Sequence, residues 1–325
     1  MMTKGMLVRQ PGGPEAMEWV DLPLLPPGPG QVLLRQTAIG VNFLDVYFRS
    51  GLYPWPEASM VPGAEAAGVI EALGNGVTGF SLGDRVAYVL AHGAYRQARV
   101  VQADRLIALP DGIADTVIAG ALLKGLTAQY LVTASYVVRP GDTVLVHAAA
   151  GGVGLLLGQW LAALGAQAIG TAGTDAKCAL ARSHGYAHTI NYRTQDFVAE
   201  VAAITGGKGV AAVYDSVGHD TWRGSLKCLA RRGMFVSFGQ SSGMMTGFSM
   251  QDLASNGSLS ANRPVLFDYI ASPAEMLERS GDLFARIQSG TLRLDTATTL
   301  PLNQAAAAHK ALEGRQTTGS TVLLP

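Results

Sequence analysis

From Asp142 onward, short apolar runs alternate with segments of helical length. Asp142–His147, Gln167–Thr171, His188–Tyr192, Val210–Asp215 and Met234–Phe238 predict strands. Gly154–Leu164, Asp175–His184, Gln195–Ile204 and Asp220–Ala230 predict the helices between them. Strand and helix alternating at this spacing are the signature of a doubly wound parallel sheet.

Roughly the first 120 residues have another rhythm. Val32–Arg35, Gly68–Glu71 and Arg85–Tyr88 are short apolar or alternating runs, punctuated by Gly, Pro and Asn, and predict a β-rich domain. Leu22–Gly30 is Pro-rich and predicts an irregular connection, while Asn75-Gly76 and Gly83-Asp84 predict turns. Near the end, Pro273–Ser289 predicts a helix, His309–Leu312 part of another, and Thr321–Leu324 a closing strand.

The length of 325 residues suits two domains, and 48% hydrophobic residues suffice for large cores. Net charge is zero, and the one short basic cluster, Arg231-Arg232, is expected on a solvated helix end. That balance argues against nucleic-acid binding. Two cysteines are too few for a disulfide framework or a four-thiolate zinc site. Neither a signal peptide nor an apolar stretch of membrane-spanning length is evident, so a cytoplasmic protein without membrane insertion is expected.

Candidate chemistry centres on Ala148-Ala149-Ala150-Gly151-Gly152-Val153-Gly154, between an expected strand and an expected helix. Glycines there allow a tight turn and close approach to a pyrophosphate, which helix N-terminal N–H groups can hold. A turn that binds nothing is the bland alternative. The next strand ends Ile169-Gly170-Thr171-Ala172-Gly173-Thr174, without the acidic residue by which NAD enzymes usually hold the ribose. Asp175 follows, either as that acid or as a helix cap. Lys177 and Tyr192-Arg193 supply cations and a polar ring suited to a 2′-phosphate, which favours NADPH. Gly239-Gln240-Ser241-Ser242-Gly243 also fits a G-x-S-x-G hydrolase elbow, with Asp268 and His309 in a permissible order. The irregular stretch after Ser241 disfavours that reading.

Gly141-Asp142, Leu145, Ala149–Gly152, Gly154 and Gln159 resemble, in order and spacing, the signature of the bacterial NADPH:quinone oxidoreductases. These are zeta-crystallin-like medium-chain dehydrogenases/reductases. Ala162 departs from that pattern, where a basic residue or Ser is usual. The likeness extends through Asn42–Pro54, Lys124–Thr127, Val213–Gly218, Phe238–Gly243 and Arg315–Pro325. It implies a GroES-like catalytic domain, residues 1–124 and 266–325, interrupted by a Rossmann NADPH-binding domain, residues 125–265. It also implies a homodimer formed through the dinucleotide domains. Zinc-dependent relatives carry Cys, His and Cys where this chain has Asn42, Ala64 and Lys124, so no metal is expected.

The resemblance places Asn42, Phe43, Asp45 and Tyr47 around the nicotinamide. Tyr130, Gly152, Val153, Gly173, Thr174, Lys177, Tyr192, Val217, Gly239, Ser241 and Ser242 would line the rest of the cofactor. Pro264-Val265-Leu266 and Arg315 would complete the site. Asn42 and Asp45 also read as turn or cap residues, Tyr130 as a core aromatic, and Tyr47 as either a packing residue or a donor to the acceptor. The implied activity is zinc-free reduction of quinones by NADPH. The alternatives are NADPH-dependent reduction of an enal or enone and, more distantly, non-catalytic NADPH binding.

Overall fold

A computed structural model describes residues 1–55, 58–294 and 297–325. The chain divides into two compact units. Met1–Leu123, Ala271–Gln288 and Leu294–Pro325 form one; Lys124–Ile270 and Ser289–Arg293 form the other.

Along the chain, the first unit begins with β1 (Met2–Val8), β2 (Met17–Pro23), β3 (Gln31–Val41), α1 (Phe43–Arg49), β4 (Glu65–Leu73), β5 (Arg85–Val89), β6 (Ala98–Gln102), β7 (Ile107–Ala108) and the start of α2 (Asp115–Tyr130), which passes into the second unit at Lys124. The second unit carries β8 (Thr143–Val146), α3 (Gly152–Ala163), β9 (Gln167–Ala172), α4 (Asp175–Arg182), β10 (His188–Asn191) and α5 (Phe197–Ile204). It continues through β11 (Val210–Asp215), α6 (Trp222–Cys228), β12 (Leu229–Ser237), α7 (Met250–Ser255), β13 (Ser260–Asn262) and α8 (Leu266–Tyr269). The chain then rejoins the first unit with α9 (Pro273–Gln288), β14 (Ala297–Pro301), α10 (Ala305–Glu313) and β15 (Ser320–Leu324).

In the first unit, seven-stranded pairing runs β14-β15-β3-β4-β5-β7, with β6 also paired to β3 and β1-β2 forming a separate antiparallel ribbon. β3 is paired to β4, β6 and β15, so alternation gives way to a nearly continuous buried run over Val32–Val41. Its side chains pack with Met6, Val8, Ile70, Tyr88 and Leu323 in one core.

In the second unit, six parallel strands run β10-β9-β8-β11-β12-β13. The strand order reverses direction between β8 and β11, where open α/β sheets bind ligands beyond the strands' carboxyl ends. Gln159 of α3 explains the return of Ser289–Arg293: its amide accepts from Arg293 N–H at 2.8 Å and donates to Arg293 O at 3.1 Å.

Three expectations need correction. Arg231-Arg232 lies in β12, not on a helix end. Between the pairs Val210–Leu229 and Ala212–Met234 the register slips, Arg232 takes φ +64°, and its N–H donates to Gly257 O at 2.9 Å. The pair projects from a bulge. The β-rich opening also ends in α2, a helix whose apolar residues are spread all round and carry no amphipathic period. With the π-helical turn Leu131–Ser135 it makes an apolar stretch of 21 residues, long enough to span a membrane. Burial of 83% of its most apolar window accounts for that composition as core.

Candidate active site

In the second unit the phosphate cradle is made of backbone. α3 begins at Gly152 after Gly151, and no side chain caps it. Its first N–H groups and the positive end of its dipole are therefore presented for an anion. A Cβ on Gly154 would stand 2.4 Å from Ala148 O and 2.7 Å from Ala149 O, so only glycine fits. Ala148 itself adopts φ +55°. This geometry fits a dinucleotide pyrophosphate, with Gly152 and Val153 in the first turn.

The adjoining strand ends define a second patch. A Cβ on Gly173 would meet Tyr192 Oη at 2.7 Å, and Arg193 Nε lies 3.5 Å from the same point, so these three residues gather over one spot. Thr174, not Asp175, is the N-cap of α4: its hydroxyl accepts from Lys177 N–H at 3.2 Å. Asp175 Oδ1 accepts from the Asn191 amide at 2.8 Å. That contact resolves the objection to NADPH, because the carboxylate is tied to β10. Tyr192 is 40% exposed, and Arg193 is exposed beside it.

At the ends of β11 and β12, Ser242 Oγ donates to Val217 O at 2.8 Å and Ser241 N–H donates to Ser216 O at 3.1 Å. Gly239 packs so closely that a Cβ would lie 2.8 Å from Ser216 O. Val217, Gly239, Ser241 and Ser242 are thus brought together. The hydrolase reading fails here, since no helix follows Ser241 until α7 at Met250. Tyr130 is buried and stacks on Tyr269 of α8, with centroids 4.3 Å apart and planes at 11°; burial pushes its phenol upward. Leu266 opens α8, preceded by buried Pro264 and exposed Val265, so this segment shares Tyr130's neighbourhood.

Beneath the glycine turn lies a cluster that sequence reasoning missed. Asp215, fully buried at the end of β11, accepts from Val217 N–H, Gly218 N–H, Thr221 Oγ1 and Ser225 Oγ at 2.8–3.0 Å. Ser225 Oγ, its proton committed to Asp215, accepts from His147 Nε2 at 3.0 Å. Nδ1 of His147 is then the unprotonated nitrogen, accepting from Thr171 Oγ1 at 2.9 Å. Burial lowers the His147 pKa against an opposing effect of Asp215, so the ring is neutral. The available signals were a His abutting the glycine turn and an Asp closing an apolar strand.

In the first unit the candidate residues are held by side chains. Asn42 precedes α1, and its backbone N–H donates to Asp45 Oδ2 at 2.8 Å, the Asp half of a capping box. Asn42 Nδ2 donates to Glu65 Oε1 at 2.8 Å, while Glu65 Oε2 accepts Leu123 N–H at 2.6 Å. A carboxylate facing Asn42 requires the amide NH2 on that side and turns Oδ1 toward the Asp45 N–H, the other half of the capping box, with one further lone pair able to accept. Tyr47 is buried and lies in a run of rings, 6.1 Å from Phe43 and 5.3 Å from Tyr53, which then meets Phe48 at 5.5 Å. Arg315 stands exposed just after α10 with φ +56°.

Asn42, Ala64 and Glu65 do not fit zinc. An amide and a methyl replace soft donors, and the Glu65 carboxylate is already bonded to Asn42 and Leu123. Among the described residues no three of His, Cys, Asp and Glu gather as metal ligands.

Comparisons with known proteins agree with this architecture. The family described as "Alcohol dehydrogenase GroES-like domain" matches residues 28–142, and that described as "Zinc-binding dehydrogenase" matches residues 152–276. The chain is 48% identical to a 2-haloacrylate reductase of a Burkholderia species, over 100% of this chain and 99% of that one. It is 47% identical to a quinone oxidoreductase of Pseudomonas aeruginosa, over 97% of each. It superposes on the crystal structure of Escherichia coli quinone oxidoreductase complexed with NADPH with a TM-score of 0.96, at 44% identity, covering 99% of this chain and 100% of that one.

Proposed function

The chain belongs to the quinone oxidoreductase family of the medium-chain dehydrogenases/reductases, and on that premise we propose that it reduces quinones by hydride transfer from NADPH without zinc. When bound, the nicotinamide supplies the hydride; the protein supplies orientation and electrostatics. The observation that carries this reading is the uncapped glycine turn of the second unit, together with the patch where Arg193 and Tyr192 gather over Gly173. The turn would hold the pyrophosphate through backbone N–H groups, and the patch would hold the 2′-phosphate.

In this reading Asn42, Phe43, Asp45 and Tyr47 would border the nicotinamide, and the remaining lone pair of Asn42 Oδ1 could accept a hydrogen bond from it. Gly173, Thr174, Val217, Gly239, Ser241 and Ser242 line the cofactor, with Tyr130, Pro264–Leu266 and Arg315 completing the site. A quinone is electron-poor enough to take hydride without a Lewis acid, and Tyr47 would donate to its oxygen. The functional division proposed is a catalytic domain of residues 1–124 and 266–325 and an NADPH-binding domain of residues 125–265. A cytoplasmic homodimer joined through the latter is part of the same proposal.

A second reading is specifically favoured by the 48% identity with a 2-haloacrylate reductase: hydride delivery to an activated carbon–carbon double bond. Loss of NADPH absorbance with a panel of quinones, enones and 2-haloacrylates, repeated with NADH and with a chelator, separates the two. Chelator-resistant, NADPH-selective turnover of quinones is the expected result. Turnover of alkenes alone would transfer the assignment to the second reading.

A further inference from the structure

A chain of buried polar groups crosses the first unit and ends on the capping carboxylate of α1. Glu313 of α10 accepts from Arg49 Nη2 at 2.8 Å and from Nη1 at 2.9 Å. Arg49 also donates through Nε to Gly12 O at 3.0 Å, and its Nη1 lies 3.1 Å from His309 Nδ1. His309 Nε2 is 3.0 Å from Tyr95 Oη, and Tyr95 donates to Asp45 Oδ2 at 2.9 Å. Arg49, His309, Tyr95 and Asp45 are each at most 1% exposed.

Only one arrangement of protons satisfies this chain. A guanidinium has no acceptor, so His309 Nδ1 must accept from Arg49. The neutral ring then carries its proton on Nε2 and donates to the Tyr95 oxygen. Tyr95 spends its own proton on Asp45. Between Arg49 and Asp45, every bond therefore points toward Asp45.

The same chemistry excludes a proton wire. Arg49 at its head keeps its protons. Burial, and secondarily Arg49, push His309 down to about 3. Burial, and then Asp45, raise the Tyr95 phenol well above its ordinary value. Each group keeps the protonation state that the bonds require, so the chain transmits position.

What it positions is definite. Asp45 Oδ2 receives Tyr95 Oη and Asn42 N–H together, which fixes the backbone entering α1. The side chain of that same Asn42 is fixed from the other side by Glu65. A core that needed stability alone would be served as well by apolar residues of similar volume. Here a hydrogen-bonded polar chain joins residues up to 264 positions apart and terminates at Asn42–Tyr47.

We propose that Tyr95 and His309 are positioning residues for hydride transfer, acting through Asp45 to hold the Asn42–Tyr47 segment in register. The proposal rests on the reading that this segment faces the nicotinamide.

The test is Tyr95→Phe in the full chain, which keeps the ring edge-on to His309 and removes only the hydroxyl. Turnover with NADPH and a quinone is measured for the wild type and the variant, with protiated NADPH and with NADPH deuterated at the transferred position, across pH. The expected result is a roughly ten- to hundred-fold fall in kcat, the scale of a sub-ångström to ångström misplacement. The NADPH KM should change less than about threefold, the deuterium isotope effect should rise, and the pH profile should keep its shape. A lowered melting temperature with kcat and isotope effect unchanged would reduce the chain to a structural role and overturn the proposal. Loss of an ionisation from the pH profile would also overturn it, by making the chain a proton carrier.

Should Tyr95→Phe not fold, Glu313→Gln at the partly exposed end of the chain is read by the same criteria. Two controls separate failure of the premise from failure of the inference. A wild type without quinone turnover removes both the functional reading and this proposal. Asn42→Ala with unchanged kcat removes the placement of the segment, and the proposal with it.

Discussion

Under the proposed function the two units would meet one demand, holding a ligand still, with different materials. The second does so with backbone: an uncapped helix N-terminus, a turn where only Gly154 fits, and Gly173 beneath Tyr192 and Arg193. The first does so with side chains: Asn42 between Glu65 and its own capping partner Asp45, with Tyr95, His309 and Arg49 behind. A backbone site has few soft coordinates, because main-chain atoms cannot rotate away from an intruding group. A side-chain site degrades by degrees, since each lost hydrogen bond leaves its neighbours in place. Damage should therefore be abrupt in the second unit and graded in the first.

The largest effect is expected at Gly154. A Cβ there would approach Ala148 O to 2.4 Å, closer than any relaxation of a side chain could relieve. Gly154→Ala should weaken NADPH binding by at least about 100-fold, about 2.8 kcal/mol, as read by calorimetric titration. Binding within threefold of wild type would show that the turn is not the cradle, and the contrast between the units would collapse.

An intermediate effect sharpens the comparison by finding what the units share. Each buries an imidazole, His147 in the second and His309 in the first, whose folded-state pKa lies below the ordinary 6.5. The unfolded chain then binds more protons below pH 6.5, so these groups cost nothing above that pH. Stability should fall as pH drops from about 6.5 toward the folded values, which for His309 is about 3. For His309 the loss between pH 6.5 and 5 is on the order of 2 kcal/mol. Urea unfolding across that interval should show a steep slope in the wild type and a shallower one in His309→Gln. Equal slopes would mean that His309 titrates normally in the folded protein.

The same division of materials governs what could be read from the chain beforehand. A backbone site is local: Ala148–Gly154 lies within seven residues, flanked by its strand and helix, and the strand–helix alternation that predicts the sheet is equally local. The side-chain site is assembled from positions 42, 45, 49, 65, 95, 309 and 313, and beyond the Asn42–Asp45 capping box no spacing rule joins them. Arg49 and His309 offered no local sign of partnership; His309 entered the sequence reading as the start of a helix segment and, for chemistry, only as a hydrolase candidate. α2 escaped for a related reason, since a helix buried on all sides has no polar face to mark its period. Asp175 shows the limit within the legible unit: its acidic side chain pointed to NADH until the Asn191 contact was visible.

The smallest expected effect concerns that same corner. Arg193 is exposed, and an ion pair with a phosphate there competes with water and salt, so its contribution should be about 1 kcal/mol. Arg193→Ala should lower the NADPH-over-NADH ratio of kcat/KM by about fivefold and leave NADH kinetics unchanged, because NADH lacks the 2′-phosphate that the cation would meet. Raising the ionic strength should erase most of that difference in the wild type and little of what remains in the variant. If NADH turnover fell in parallel, Arg193 would be acting on the shape of the β10 end, where its own N–H donates to Asn191 Oδ1 at 3.2 Å and Asn191 in turn holds Asp175. Cofactor choice would then be set by where Asn191 keeps the Asp175 carboxylate, a side-chain device placed inside the unit that otherwise relies on backbone.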